Sequence, residues 1–350
     1  MTMKKFMDAL FTVVIFYMAA AASFNGFFVD RTRDERFSFE RMYDETAHRP
    51  FVQRQLLIKI SKEVRNALPQ DFQNRLFQEF EDYDIIRASY AEIEINPAHA
   101  IEYHALYFMC FGCLFLSMFA WRNIGVEITG SVLAGKITAI IFALIFPLFE
   151  WRSIFYDSSE IFFFSLAALA ACRGNWLVLI ILTPIASYNK ESFLFFVLAL
   201  YPLLESKIGR KKTAPVIIFS AFLSGCVYLY QSALYAGNLG GAVEWHFYDH
   251  LREFTDLRSW MFSWQFYGVY WSGGFSLLNI LMLAWLVKCT WKKIPAPWQN
   301  HIKIALAINL PLFVLFCQPN EIRNFSLLYV GFIVMLSIYI KETIDCERQN

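Results

Sequence analysis

Residues 9–29 read ALFTVVIFYMAAAASFNGFFV, an uncharged stretch long enough to cross a bilayer as one helix at roughly 20 residues per span. Lys4 and Lys5 precede it and Asp30 follows it. A basic start and small residues ahead of Asp30 also fit a cleaved signal peptide. The length of the stretch favours a retained anchor, and under either reading the chain that follows is exported.

Working outward, apolar runs recur near 103–121, 128–149, 156–172, 174–189, 191–204, 214–237, 265–287, 302–318 and 324–340. Together with 8–29 they predict an all-α integral membrane protein with about ten transmembrane helices. Composition agrees: 57% of the residues are hydrophobic, against about 45–50% in ordinary soluble domains. The runs at 156–172 and 191–204 are short, so their polar ends must dip into the membrane or pack within protein.

Charge placement gives the topology. Lys4 and Lys5, Arg122, Arg173, Lys207 with Arg210, Lys211 and Lys212, Lys288 with Lys292 and Lys293, Lys303, and Lys341 fall in alternate connectors. By the positive-inside rule these connectors, and both termini, are expected to be cytoplasmic. The acids Asp157, Glu160, Glu191, Glu244, Asp249, Glu253, Asp256 and Glu321 then share the outer face with a long loop after the first span. Three regions result: a first span at 1–29, an extracytoplasmic loop at 30–104 and a multi-spanning domain at 105–350. Within the loop, Val52, Leu56, Leu57, Ile60, Val64 and Leu68 repeat at helical spacing, as do Phe72, Leu76, Phe77 and Phe80. They predict amphipathic helices that lie on the membrane or pack on each other as a small subdomain.

Several functions lack their signatures. A net charge of +1 and no basic stripe interleaved with aromatics speak against nucleic acid. No Walker A motif, dinucleotide fingerprint or HExxH occurs. None of the seven cysteines lies in the long loop, so no disulfide framework is expected, and the Cys110/Cys113 pair sits in an apolar run where cysteine acts as a small hydrophobe.

Chemistry-bearing residues gather on the outer face. Asp30, Asp34 and Glu35 open the long loop, where a carboxylate can act as a general base toward a hydroxyl or ligate a divalent metal. A solvated loop start is the plainer reading. Arg49 and Arg54 follow and can bind acidic groups, although Arg49 before Pro50 also fits a turn. Asp157 and Glu160 stand one helical turn apart at the outer end of a short span, where an ionisable residue marks a site or a paired charge. Lys190 beside Glu191 can neutralise a phosphate leaving group, or can pair with Asp157 or Glu160. Glu321 and Arg323 repeat the choice: Arg323 can hold a phosphate through two donors, or can bridge to Glu321. The aromatic loop containing Trp245, Phe247, Tyr248, Trp260, Trp264, Tyr267, Tyr270 and Trp271 suits stacking on sugars and suits an interfacial belt equally. His246 and His250 at helical spacing lack a third metal ligand set by spacing.

The arrangement of a first span, a long acidic first outer loop with amphipathic helices, and short helices with polar outer ends resembles the GT-C superfamily of membrane glycosyltransferases. The likeness covers nearly the whole chain as architecture, and DERFSFERMY resembles the acidic loop start in the aminoarabinose and protein mannosyl transferase branch. The resemblance implies a hexosyl- or pentosyltransferase of the bacterial cytoplasmic membrane, working in polysaccharide biosynthesis at the cell envelope. Its partners would be membrane lipid, a polyprenyl-phosphate-linked sugar as donor and a glycan or lipid acceptor, with Asp30, or Asp34 and Glu35, at the catalytic position. An O-antigen type polymerase or ligase is the nearest rival, but it tends to carry its large loop late in the chain. A transporter of lipid-linked glycan or small solutes would bury charges in mid-span and show repeated halves, which this sequence does not.

Overall fold

The computed structural model describes residues 2–27, 36–83, 95–149, 154–241, 243–260, 264–266, 269–271, 276–319 and 321–349. Asp30, Asp34 and Glu35 lie outside the described residues. The described chain is helical apart from one short hairpin. Its helices are α1 (Met3–Phe27), α2 (Phe39–Tyr43), α3 (Leu56–Ala67), α4 (Gln70–Asp82), α5 (Ala100–Thr129), α6 (Val132–Phe149), α7 (Phe155–Cys172), α8 (Trp176–Asn189), α9 (Phe193–Ala199), α10 (Tyr201–Ile208), α11 (Arg210–Leu234), α12 (Phe247–Thr255), α13 (Leu277–Thr290), α14 (Ala296–Phe316) and α15 (Ser326–Gln349). Strands β1 (Trp264–Phe266) and β2 (Val269–Trp271) pair antiparallel.

Among the described residues, six helices are long and apolar enough to cross a membrane: α1, α5, α7, α11, α14 and α15. α6 and α8 carry shorter apolar stretches, Val132–Pro147 and Trp176–Asn189. Two expected spans take another form. The run at 191–204 is divided into α9 and α10, which meet at Leu200, because Pro202 in the first turn of α10 has no N–H to continue a helix from α9. The run at 265–287 begins as the β1–β2 hairpin and becomes helical only at Leu277, where the Ser276 hydroxyl caps α13 by accepting the Asn279 N–H at 3.2 Å.

α7 is the central element: 83% of its apolar stretch is buried, against 22% for α11 and 28% for α1 and α14. The latter three therefore offer most of their surface to lipid. Serines and alanines along α7 allow α5, α8 and α15 to approach it closely. The Trp121 indole donates to the Ser165 hydroxyl at 2.7 Å, so the largest buried ring also satisfies its polar atom. Glycine brings α5 and α6 together: a Cβ on Gly135 would stand 2.5 Å from the Arg122 carbonyl oxygen. Cys110 is buried in α5 and its thiol faces the Phe155 carbonyl at 3.2 Å, a packing role.

The first-loop helices form as expected but pack on the bundle. α3 lies on α5 and touches α7 and α8, and α4 lies on α5. The inward face of α3 is Leu57, Ile58 and Ser61, while Ile60 and Val64 of the expected stripe are exposed. Phe80 of α4 stacks on His104 at 4.4 Å. Neighbouring helices, and not only the 3.6-residue period, choose which side turns inward.

Candidate functional site

Four separate segments bring charge to one end of the bundle. The first is the start of α7. Asp157, in its first turn, accepts the backbone N–H of Ile154 at 2.7 Å through Oδ2, which supplies a partner to an orphan donor and puts negative charge at the positive end of the helix dipole. One turn on, Glu160 projects from the same side. The second segment is the α8–α9 connection. α8 ends at Asn189, whose amide holds the Tyr156 carbonyl at 3.1 Å and whose Oδ1 accepts from the Ser159 hydroxyl at 2.6 Å. Lys190 then turns extended, at φ −159°, and its ammonium reaches back to α7.

There Lys190 Nζ lies 3.0 Å from Asp157 Oδ1 and 2.7 Å from Glu160 Oε2. Arg323, in the turn before α15, reaches the other Asp157 oxygen at 2.9 Å and Glu321 at 3.1 Å. Glu160 also accepts from the hydroxyls of Ser192 and of Ser326, the latter at 2.9 Å. The fourth segment is the turn of the first loop at 51–54. Arg54 grips Glu191 through two donors, meets the Tyr156 hydroxyl at 2.5 Å and lies over its ring at 4.6 Å.

Buried charges are tolerable only when paired and hydrogen-bonded, and these satisfy that condition. Burial works against the Lys190 ammonium, but the carboxylates of Asp157 and Glu160 outweigh it and hold its pKa above the ordinary lysine range. Burial likewise opposes the charge on Arg54, and Glu191 overcomes it. Three cations, Arg54, Lys190 and Arg323, face four carboxylates, Asp157, Glu160, Glu191 and Glu321, a formal excess of one negative charge.

The cluster borders a cavity of about 670 Å³. Its charged wall carries Arg54, Glu160, Lys190, Glu191, Glu321 and Arg323. Apolar lining comes from Phe195, Tyr228, Val243, Leu312 and Phe316, interspersed with Glu244, His246, Asn309 and Gln318, and the first loop contributes Arg36, Phe37 and Phe51. Arg36 and Phe37 directly follow the segment containing Asp30, Asp34 and Glu35 in the chain.

Of the residues expected to carry chemistry, Arg54, Asp157, Glu160, Lys190, Glu191, Glu321 and Arg323 thus converge. Both pairings foreseen as plain alternatives are present: Lys190 with Asp157 and Glu160, and Glu321 with Arg323. Arg49 stands apart. Its guanidinium is bonded to the carbonyls of Asn238 at 3.1 Å and Gly240 at 2.8 Å, and it serves to tie the first loop to the segment after α11. Gly240 is required there: its φ is +87° and a Cβ would meet the Arg49 carbonyl oxygen at 2.5 Å. Among the described residues no group of three or more His, Cys, Asp or Glu is arranged to hold a metal ion. His250 donates through Nε2 to the Cys317 carbonyl at 2.9 Å, and His246 sits between Asp249 and Glu244.

Sequence reasoning missed Ser192 and Ser326 as partners of Glu160, and Tyr156 as the ring under Arg54. Ser192 lies two residues from Lys190, so proximity to a buried lysine was the available signal. Comparison with known proteins finds no match: no family model, no curated protein and no solved structure aligns significantly with this chain.

Proposed function

We propose that this chain is a membrane glycosyltransferase of the GT-C type, transferring a sugar from a polyprenyl-phosphate donor to a glycan or lipid-linked acceptor on the outer membrane face. The observation that carries the reading is the cavity. Its lining combines ionic groups fixed by one another with apolar and aromatic side chains, and the first loop joins the lining just after Asp30, Asp34 and Glu35. Its size falls within the roughly 300–1,000 Å³ of small-molecule sites. Carboxylates held in place by cations accept hydrogen bonds from sugar hydroxyls, and flat rings cover sugar faces. In this reading α6, α8, the α9–α10 pair and α13 join the six longer helices in a ten-span bundle of the bacterial cytoplasmic membrane, with both termini cytoplasmic, as the alternation of basic and acidic connectors supports.

A first-loop carboxylate, from Asp30 or from Asp34 with Glu35, takes the proton of the acceptor hydroxyl. The acceptor oxygen bonds to the anomeric carbon while the bond from that carbon to the phosphate oxygen breaks, and polyprenyl phosphate departs with the electron pair. Positive charge from Arg54, Lys190 or Arg323 stabilises the departing phosphate. These cations are already paired, so the phosphate must displace a carboxylate. Glu191 has the most exposed acid side chain of the cluster, at 28%, which makes the Arg54–Glu191 pair the one that opens. Clustering of the charges at one end of the bundle favours one-sided chemistry over a conduction path through the spans.

The test is loss of transfer in Asp30→Asn and in the double variant Asp34→Asn with Glu35→Gln, assayed in membranes with equal protein present. The expected loss is roughly 10²–10⁴-fold in whichever variant removes the base. Full activity in both variants would remove the first-loop carboxylate from the mechanism.

A further inference from the structure

A helix on a water-facing surface turns its polar residues outward. α12 instead leaves large apolar side chains outside beside its polar ones. His250 is buried against the outer end of α14, its Nε2–H on the Cys317 carbonyl and its ring 4.9 Å from that of Phe313. The backbone N–H of His246 donates to the Leu315 carbonyl at 2.9 Å, and the His246 ring lies 2.9 Å from Asp249 and 3.3 Å from Glu244. The bonds of His246 and His250 to the Leu315 and Cys317 carbonyls fix α12 against the end of α14. Among the exposed residues are large apolar ones, Trp245 at 57%, Tyr248 at 74% and Leu257 at 81%, with Leu251 between them and Arg252, Thr255 and Asp256 beside them.

We propose that α12 and its flanks, residues 243–257, are seated in the outer interface of the bilayer, so that one wall of the cavity stands at headgroup level. Continuity is the first support. The exposed apolar surface of α11 runs through Leu229, Tyr230 and Leu234 at its outer end to Leu239 and Val243, which lead directly into α12. Residue chemistry is the second, since tryptophan and tyrosine place an apolar ring in lipid and a polar atom in the headgroup layer.

The seating has a consequence for the cavity. Val243, Glu244 and His246 are part of its wall, together with Tyr228 of α11 and Leu312 and Phe316 of α14. A ligand with an apolar anchor therefore reaches the charged wall by moving along the membrane surface, without passing through water. The placement of α12 does not depend on sugar transfer and is tested separately.

The protein is reconstituted in phosphatidylethanolamine and phosphatidylglycerol vesicles whose acyl chains are brominated at a shallow or a deep position, and tryptophan fluorescence is read. The difference between the full chain and Trp245→Phe isolates Trp245. The expected result is quenching of that difference signal by shallow bromines, less by deep ones, and little by aqueous iodide. Leu251→Cys carrying an environment-sensitive dye is the second probe, expected to shift its emission to the blue on reconstitution. Iodide quenching without bromine quenching would put the segment in water and overturn the proposal. Protection from both quenchers that grows with protein density would place a second copy on this face, and would overturn it equally.

Discussion

Two buried carboxylates open two long helices in this molecule, and they serve different ends. Glu102, in the first turn of α5, is fully buried; its Oε1 accepts from the Tyr43 hydroxyl at 2.8 Å and from Arg65 at 2.7 Å. Its Oε2 has no hydrogen-bond partner among the described residues. Asp157, in the first turn of α7, has both oxygens engaged, by Lys190 on one side and by Arg323 and a backbone N–H on the other. Glu102 fastens the first loop to the bundle. Asp157 anchors a network whose other members line a cavity. Burial of a charge is common to both, so it cannot be the mark of a site; what separates them is the open space beside the second and the number of segments that meet there.

The contrast can be broken by removing partners. The largest effect is expected from Lys190→Met, which leaves Asp157 and Glu160 buried without their shared cation. The cost should be roughly 3–5 kcal/mol, read as a large fall in the unfolding midpoint in detergent. A fall no greater than that of an exposed variant would mean that the network is wet and weakly coupled. Next comes Glu102→Gln, which deprives Arg65 of its countercharge while keeping the shape. A loss of about 1–3 kcal/mol is expected, with transfer per folded molecule unchanged, because this carboxylate stands outside the cavity wall.

A pH series sharpens the Glu102 junction further. Burial and the bond to Glu102 push the Tyr43 hydroxyl up to about 12. A group whose folded value is raised gives stability that is complete below its unfolded value, about 10 for tyrosine, and is lost as pH rises through the folded value. Stability should therefore decline between about pH 10 and 12, and Tyr43→Phe should flatten that part of the profile. An unchanged slope would detach Tyr43 from the junction. The smallest effect is expected from Arg173→Gln, which removes a half-exposed pair with Glu127 at 2.7 Å. Exposed pairs contribute about 0–1 kcal/mol, so a midpoint shift like that of Lys190→Met would erase the distinction between surface and buried pairs.

Much of this was legible in the chain. Long apolar runs located α1, α5, α7, α11, α14 and α15, because a span needs only length and absence of charge. The one-turn spacing of Asp157 and Glu160 put them on one side, and Lys190 at the end of the next apolar run was within reach of both. The junction of Arg54 with Glu191, 137 residues away, was not legible, since tertiary contact leaves no local pattern. Nor was the inward face of α3, where α5 chose Ile58 over Ile60. The division at Leu200 has a local signal in Pro202, which a reading by uncharged apolar length passes over. The tie of Arg49 to the carbonyls of Asn238 and Gly240 was not legible either, since the sequence offers only a binding residue or a turn residue there.

One-sided sugar transfer from a lipid donor is the activity proposed for this chain. It is tested most directly with purified protein in vesicles holding a radiolabelled polyprenyl-phosphate sugar, following label transfer to a glycan or lipid acceptor and, in parallel, movement of the donor between leaflets. Transfer is expected from protein whose outer face meets the donor, with no acceleration of leaflet exchange. Rapid exchange without any transfer would contradict the proposed activity and make the chain a transporter.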